Sequence, residues 1–416
     1  MRRSIVAIFS IALLVTSVRV AALDWPQFLG PDRNGVYAGP PLARSWPAQG
    51  PPVVWKKQIG AGFAGPVVSG ARLVLFHRVG KEEVVESFEA QTGKPQWRYA
   101  YPTTYRDDFG FDEGPRAVPV VANGRVYTFG AEGRLHALDL ATGRVLWSED
   151  TKKRFAVPKG FFGAAGSPLV EDGRVIANIG GMDGAKDAGI VAFNAETGAI
   201  LWTSTMHQAS YSSPVGATID GQRRAVFLTR QGIVVLDPAT GQMISQRAFR
   251  SRSQSSVNAA SPLVVGSQIF VSATYETGAA VLQLEGNQLR PLWQSDEVLS
   301  NHYATSVYAN GILYGFHGRQ EFNPSFRAVD FKTGSVKWSE EHFHAGTVTL
   351  AADRLLILRE TGELLMAQAT PEAFRPLARA QILPATLRSY PALSDGFLFA
   401  RNSDTRSNVL VCLDLR

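Results

Sequence analysis

The stretch Ala137-Leu-Asp139-Leu-Ala-Thr142-Gly143-Arg-Val-Leu-Trp147 decides the fold of this 416-residue chain, because it recurs. Ala192-Phe-Asn194-Ala-Glu-Thr197-Gly198-Ala-Ile-Leu-Trp202 is a second copy, and Ala328-Val-Asp330-Phe-Lys-Thr333-Gly334-Ser-Val-Lys-Trp338 is a third. Ser87 to Trp97 keeps Thr92-Gly93 but carries Ser87 and Glu89 in place of Ala and Asp. Val235 to Ser245 ends in Ser, and Gln283 to Trp293 keeps the Trp but loses Thr-Gly. A unit that repeats in this way cannot bury its own faces and stacks on copies of itself.

Outward from each Trp unit lies a second pattern: a small residue, usually followed by Pro, then an apolar run, a tight turn and another apolar run. Gly65-Pro66 precedes Gly70, Val118-Pro119 precedes Asn123-Gly124, and Ser167-Pro168 precedes Asp172-Gly173. Ser213-Pro214, Ser261-Pro262, Ser306, Thr347 and Tyr390-Pro391 open the later copies. Asn-Gly and Asp-Gly suit hairpin turns, whose central residues need positive φ. Pro is tolerated at the first residue of a strand. The Asp-x-x-Thr-Gly segment reads as a further turn, its carboxylate capping backbone donors and its Gly taking the left-handed position. Each unit is therefore two hairpins, or four antiparallel strands. About eight units at a period of roughly 40–50 residues predict an all-β, eight-bladed β-propeller. The chain stops soon after Cys412-Leu-Asp414, and Pro52-Val-Val-Trp55 is an outer strand with nothing before it. The N-terminal strand is thus expected to complete the last blade, which removes exposed sheet edges.

Residues 1–22 read as a secretory leader: Arg2-Arg3, then Ile5 to Val15 apolar, then Val20-Ala21-Ala22 for cleavage. The apolar run is short for a membrane span. No cysteine stands near the cleavage site for a lipid anchor, and an exported protein without a membrane span in its mature chain is expected, periplasmic or extracellular. Residues 23–50 form a Pro- and Gly-rich arm, read as lacking regular structure and packed on the ring by Trp25, Phe28 and Trp46. The propeller takes residues 51–416. The formal charge is +6, but the leader holds three arginines and no acid, leaving 39 basic against 36 acidic residues. No basic stripe concentrates that small excess, so nucleic acid is not an expected partner. The single cysteine, Cys412, lies in an apolar run and reads as a buried thiol.

On the eleven-residue Trp unit, residues 51–416 resemble the pyrroloquinoline-quinone repeat family, the quinoprotein-dehydrogenase-like propellers that include BamB-like assembly proteins. The resemblance implies that Trp55, Trp97, Trp147, Trp202, Trp293 and Trp338 dock neighbouring blades. It also implies two competing activities, since the motif is shared by enzymes and non-enzymes. The family's enzymes hold pyrroloquinoline quinone in the funnel on a Trp platform, with calcium on carboxylate and amide ligands and an Asp nearby. Several carry a vicinal disulfide under the quinone, which one cysteine cannot form. The remaining tryptophans, Trp25 and Trp46, lie in the arm, so no ring loop offers a quinone platform.

Alternation of strands puts the tight turns on one face and the long connections on the other, where binding residues belong. The richest connection, Tyr101 to Arg116, holds Arg106, Asp107, Asp108, Asp112, Glu113 and Arg116 with Phe109 and Phe111. Its carboxylates suit either acid–base or cation chemistry or a loop stapled by its own ion pairs. His77, His207, His302, His317, His342 and His344 are assigned to the long-loop face and His136 to a strand; only His342-x-His344 has a ligand-like spacing, so no metal site is assigned. Lys159, Tyr211, Asn258, Asn301, Tyr303, Arg319, Glu321 and Arg388 stand where inner strands begin or in facing loops. Several Arg on one face favour an anionic ligand. The short acidic segment Asp183 to Asp187 reads as a plain turn, and Gly180-Gly181 as a link between two strands. Three readings follow: a non-catalytic binding or assembly scaffold with a protein partner at the cell envelope, a quinone- and calcium-dependent dehydrogenase of alcohols or sugars, and a binder of anionic glycan.

Overall fold

The computed structural model describes residues 24–254, 257–384, 388–404 and 407–416; the expected leader lies outside them. Eight antiparallel four-stranded blades follow one another, with inner strands starting at Val67, Val120, Leu169, Val215, Leu263, Val307, Gly346 and Ala392. They are numbered 1 to 8 in that order. Blade 8 takes its outer strand from the N-terminal side: Val53–Ile59 pairs with Asn408–Asp414, setting Trp55 opposite Cys412. Cys412 is fully buried, and burial pushes its thiol up to about 12.

The eleven-residue spacing has a local cause. Asp139 accepts from the backbone and hydroxyl of Thr142 at 2.9 and 2.6 Å, and Gly143 turns the chain at φ +72°. The outer strand then bulges: Val145 faces Leu138 and Trp147 faces Ala137, so one residue is left over. A register shift at the equivalent point occurs in every blade. It aims the Trp sideways at the next blade. Trp55, Trp97, Trp147 and Trp202 donate their indole N–H to Ala90, Leu140, Ala195 and Pro238 carbonyls at 2.9, 2.9, 3.0 and 3.2 Å. Trp293 and Trp338 do the same to Phe331 and Thr370, at 2.8 Å each. Each indole also covers a turn glycine where one is present: a Cβ on Gly143 would lie 2.5 Å from the Trp97 ring, and one on Gly198 2.8 Å from Trp147.

The small residue before each inner strand has its own task. Val118 N donates to Ser167 Oγ, Ser167 N to Ser213 Oγ, Ser213 N to Ser261 Oγ and Ser261 N to Thr305 Oγ1, at 2.8 to 3.2 Å. These hydroxyls belt blades 2 to 6 together around the axis and satisfy backbone donors that a converging ring of strands leaves without ladder partners.

The arm is mostly irregular, with Trp46 packed on the ring, but residues 24–37 form a plug in the central channel with short β structure of their own. It enters on the tight-turn face, where Asp24 accepts from Ser69 Oγ and Gly70 N at 2.9 and 2.8 Å. Trp25 bridges Val68, and Val121 N donates to Pro26 O at 2.7 Å. Past the tip, Val36–Tyr37 pairs in parallel with Leu350 and Ala351 of blade 7, and Gly396 N of blade 8 donates to the Tyr37 hydroxyl at 2.7 Å. At the tip, Arg33 is 2% exposed and donates to Ser167 and Pro214 carbonyls at 3.4 and 2.8 Å and to Pro168 O. Burial pulls its guanidinium down to about 9, against the influence of Glu171. A residue without Cβ was needed at Gly35 as well: it passes at φ +72°, and a Cβ would lie 2.8 Å from Val307.

Candidate functional site

Because the plug closes the channel from the tight-turn face, the long-loop face keeps a blind axial cup of about 430 Å³. Phe28 of the plug forms part of its floor, edge-on to Tyr390 at 4.8 Å between ring centres. Connections between blades bring the walls. The blade 1–2 connection supplies Phe109, Phe111 and Arg116, the blade 2–3 connection supplies Phe161 and Phe162, and Tyr211 comes from the next. Tyr275, His302, Tyr303, Arg319, Glu321 and Arg388 complete the opposite side.

Three guanidinium groups stand among these rings. Arg116 lies 5.3 Å from the Phe63 ring centre and 5.7 Å from Phe162, and donates to Asp112 O at 2.9 Å with Asp107 3.4 Å away. Arg319 sits 4.5 Å over Tyr275 and pairs with Glu321 at 3.3 Å. Arg388 lies 4.7 Å from Phe111 and 5.5 Å from Tyr303. Its backbone is held at φ +71°, a region that residues with a Cβ seldom occupy. Among the described residues no carboxylate is ion-paired with Arg388. The aromatic faces attract all three cations; Arg116 and Arg319 also have carboxylate partners in Asp107 and Glu321, which leaves Arg388 as the guanidinium held by rings without one among the described residues.

Several candidates serve the scaffold. Asp107 accepts from Phe109, Phe111 and Asp112 backbone N–H groups at 3.2, 2.7 and 3.1 Å. Asp112 accepts from Gly62 N and Gly114 N at 3.0 and 2.6 Å and from Ser403 Oγ. These carboxylates shape the loop that carries Phe109 and Phe111. Asn258 bridges Thr229 O and Phe249 O at 2.8 and 2.9 Å, and Asn301 donates to Phe316 O at 2.7 Å. His207 bonds Thr229 Oγ1 at 2.8 Å, and His317 accepts from Ser300 N at 3.0 Å. Arg106, Asp108 and Lys159 line a neighbouring cavity, Arg106 paired with Glu113 at 2.8 Å and Lys159 with Asp108.

The histidine assignment needs correction. His77 lies inside the strand Arg72–Val79 and pairs with Glu86 at 3.1 Å, while His317 ends the strand Ile312–His317. Both strands run further toward the long-loop face than their sequence pattern suggested. Gly180 and Gly181 likewise lie within the strand Arg174–Asp183 and not between two strands. His302 is the histidine of the cup. It bonds the Tyr275 hydroxyl at 3.0 Å and Gln320, and burial pulls it down to about 4, so it stands neutral there at pH 7. Among the described residues no three His, Cys, Asp or Glu gather to hold a metal ion.

Phe28, Phe63, Tyr275 and Tyr390 were not singled out from sequence as site residues. The available signal was aromatic side chains in connections that should be polar, as in Phe109, Phe111, Phe161 and Phe162.

Comparison with known proteins agrees with this architecture. The family model described as outer membrane protein assembly factor BamB matches residues 80–340. Over 139 residues the chain is 34% identical to quinohemoprotein alcohol dehydrogenase ADH-IIG of Pseudomonas putida, covering 33% of this chain and 18% of that protein. Over 249 residues it is 21% identical to outer membrane protein assembly factor BamB of Yersinia pestis, covering 58% of this chain and 60% of that one. The chain thus spans less than a fifth of the dehydrogenase. Among solved structures, BamB from Moraxella catarrhalis aligns with a TM-score of 0.62 at 15% identity, over 87% of this chain and 97% of that one. The quinohemoprotein alcohol dehydrogenase of Comamonas testosteroni aligns with a TM-score of 0.54 at 15% identity, over 94% and 80%. Such identities show a shared fold. With the repeat, the eight blades and a family match over more than half of its length, the chain belongs to the BamB family of propellers built from pyrroloquinoline-quinone-like repeats.

Proposed function

We propose that this chain is an exported, non-catalytic binding propeller, and that its axial cup takes an aromatic carboxylate, free or displayed by a protein partner at the cell envelope. Arg388 carries the reading. A guanidinium set against Phe111 and Tyr303, with no carboxylate paired to it among the described residues, is a fixed cation at the mouth of an aromatic cup. A planar fork of donors recognises a carboxylate in two parallel hydrogen bonds. The rings around it give the ligand's aromatic body offset-stacked and edge-on contacts. Exposed Phe109, Phe111 and Phe322 on the same face enlarge the apolar surface available to a partner.

A quinone held with calcium fits these residues poorly. The carboxylate in the cup, Glu321, is paired with Arg319, and no cation-holding group of acidic or histidine side chains is present among the described residues. None of the eight tryptophans lines the cup. These features support the binding reading over a quinone-dependent one.

The test is calorimetric titration with naphthalene carboxylates and the matching neutral amides, followed by pyrroloquinoline quinone with calcium, alcohols or sugars, and a redox dye. The carboxylates should bind at least tenfold tighter than the amides, and the dye should stay oxidised. Calcium-dependent dye reduction would overturn the proposal.

A further inference from the structure

Beside the axial cup, on the same face, lies a second cavity of about 680 Å³ between blades 2 and 3. Residues 158–166 form the wall between them, and Phe161 and Tyr211 border both spaces. The wall is anchored on each side. Val157 N donates to Lys152 O at 3.1 Å, Ala164 N to Ala131 O at 2.9 Å and Phe162 N to the Tyr211 hydroxyl at 3.2 Å. Gly163 passes at φ +68°, where a Cβ would come within 2.4 Å of Ala131 O.

We propose that this lateral cavity is a second ligand site, for an acidic oligosaccharide. Three observations point there. First, the lining is rich in cations: Arg106, Lys152, Lys159 and Arg230 against Asp108 and Glu132. Both acids are already engaged. Glu132 accepts from Thr103 Oγ1, Thr104 N and Thr104 Oγ1 at 2.9, 2.8 and 2.9 Å, and Asp108 pairs with Lys159. With Arg106 paired to Glu113 and Lys159 to Asp108, Lys152 and Arg230 give the lining its excess of positive charge.

Second, Tyr105 lines the cavity, is 4% exposed, and its buried hydroxyl has no hydrogen-bond partner. An orphaned buried hydroxyl costs free energy until an acceptor arrives. Third, the cavity mixes flat apolar faces, Phe161 and Tyr211, with dispersed polar groups such as Gln208 and Ser210. An inorganic anion would use the charge and leave the faces idle. A pyranose uronate uses both, laying its C–H face on a ring and its carboxylate and hydroxyls on the donors. The volume lies within the range of small-molecule pockets.

This site shares only its dividing wall and Tyr211 with the axial cup, and neither tested residue lines the cup, so the two proposals fail separately. Trigalacturonate and neutral maltotriose are titrated into the wild type, Tyr105→Phe and Lys152→Ala, with a naphthalene carboxylate run in parallel. Trigalacturonate should bind the wild type at least tenfold tighter than maltotriose. Tyr105→Phe, which keeps the ring and loses one hydroxyl, should weaken it about five- to tenfold, and Lys152→Ala should weaken it further at low salt. Naphthalene carboxylate binding should be unchanged in both variants. Absence of saturable trigalacturonate binding, or equal binding by wild type and Tyr105→Phe, would overturn the lateral site. Loss of naphthalene carboxylate binding by the wild type would instead overturn the axial one.

Discussion

Trp147 is the seam residue whose removal has the most legible consequence. It is 9% exposed, donates to Ala195 O at 3.0 Å, covers Gly198 and stacks 6.4 Å from Phe193. An indole buries up to about 250 Å², and at roughly 25 cal/mol per Å² that gives about 6 kcal/mol as an upper bound. Truncations of buried aromatic side chains to Ala cost about 3–5 kcal/mol, so Trp147→Ala should fall in that range. The lost hydrogen bond accounts for about 1 kcal/mol of it. The sharper test is the pair with Gly198→Ala. In the wild type that new Cβ meets the indole at 2.8 Å, on a backbone held at φ +74°. In Trp147→Ala the clash is gone and only the backbone strain remains, about 1–2 kcal/mol. A denaturant-melt double-mutant cycle should therefore show a coupling of about 1 kcal/mol or more. Additive effects of the two changes would refute the argument that indole and glycine are a matched pair.

Two further predictions concern the plug and pH. Arg33→Met removes the cation that reaches three carbonyls just before inner strands and leaves them short of donors; the expected cost is about 2–4 kcal/mol, with faster proteolysis inside residues 24–37, and unchanged proteolysis would count against the plug as a keystone. His136, His302 and His317 are each pulled from 6.5 to about 4 by burial, so the unfolded chain binds more protons than the folded one between those values. Stability should fall as pH drops from 6.5 toward 4; Glu83, whose carboxyl burial pushes up, opposes this by losing stability as pH rises. His136→Phe should flatten the slope of melting temperature against pH in that window, and an unaltered slope would refute the assignment.

How much of this was legible from sequence follows from the range of each interaction. The Asp-x-x-Thr-Gly turn, the bulge and the Trp lie within eleven residues, so blade number and closure could be read from residues such as Asp139, Gly143 and Trp147 alone. The plug could not. Arg33 meets its carbonyls 134 to 181 residues away, and its partners are backbone atoms, which leave no mark in side-chain pattern. The cup was half legible. Arg116, Tyr211, Tyr303, Arg319 and Arg388 were named from their positions in the long connections or where inner strands begin, whereas Asp107, Asp112, Asn258 and Asn301 occupy similar positions and hold backbone groups instead. Which side of a connection faces the axis is decided by its backbone path, as Gly163 and the left-handed Arg388 show.

Arg388 is the residue on which the proposed recognition by the axial cup turns. Naphthalene carboxylate should be titrated calorimetrically into the wild type and Arg388→Gln, with circular dichroism confirming that both are folded. Loss of a charge-assisted pair costs about 1.5–3 kcal/mol, so affinity should drop at least tenfold in the variant while the neutral amide binds both proteins equally. Equal carboxylate affinity in the two proteins, or no carboxylate binding by the wild type, would contradict the axial cup as an aromatic carboxylate site.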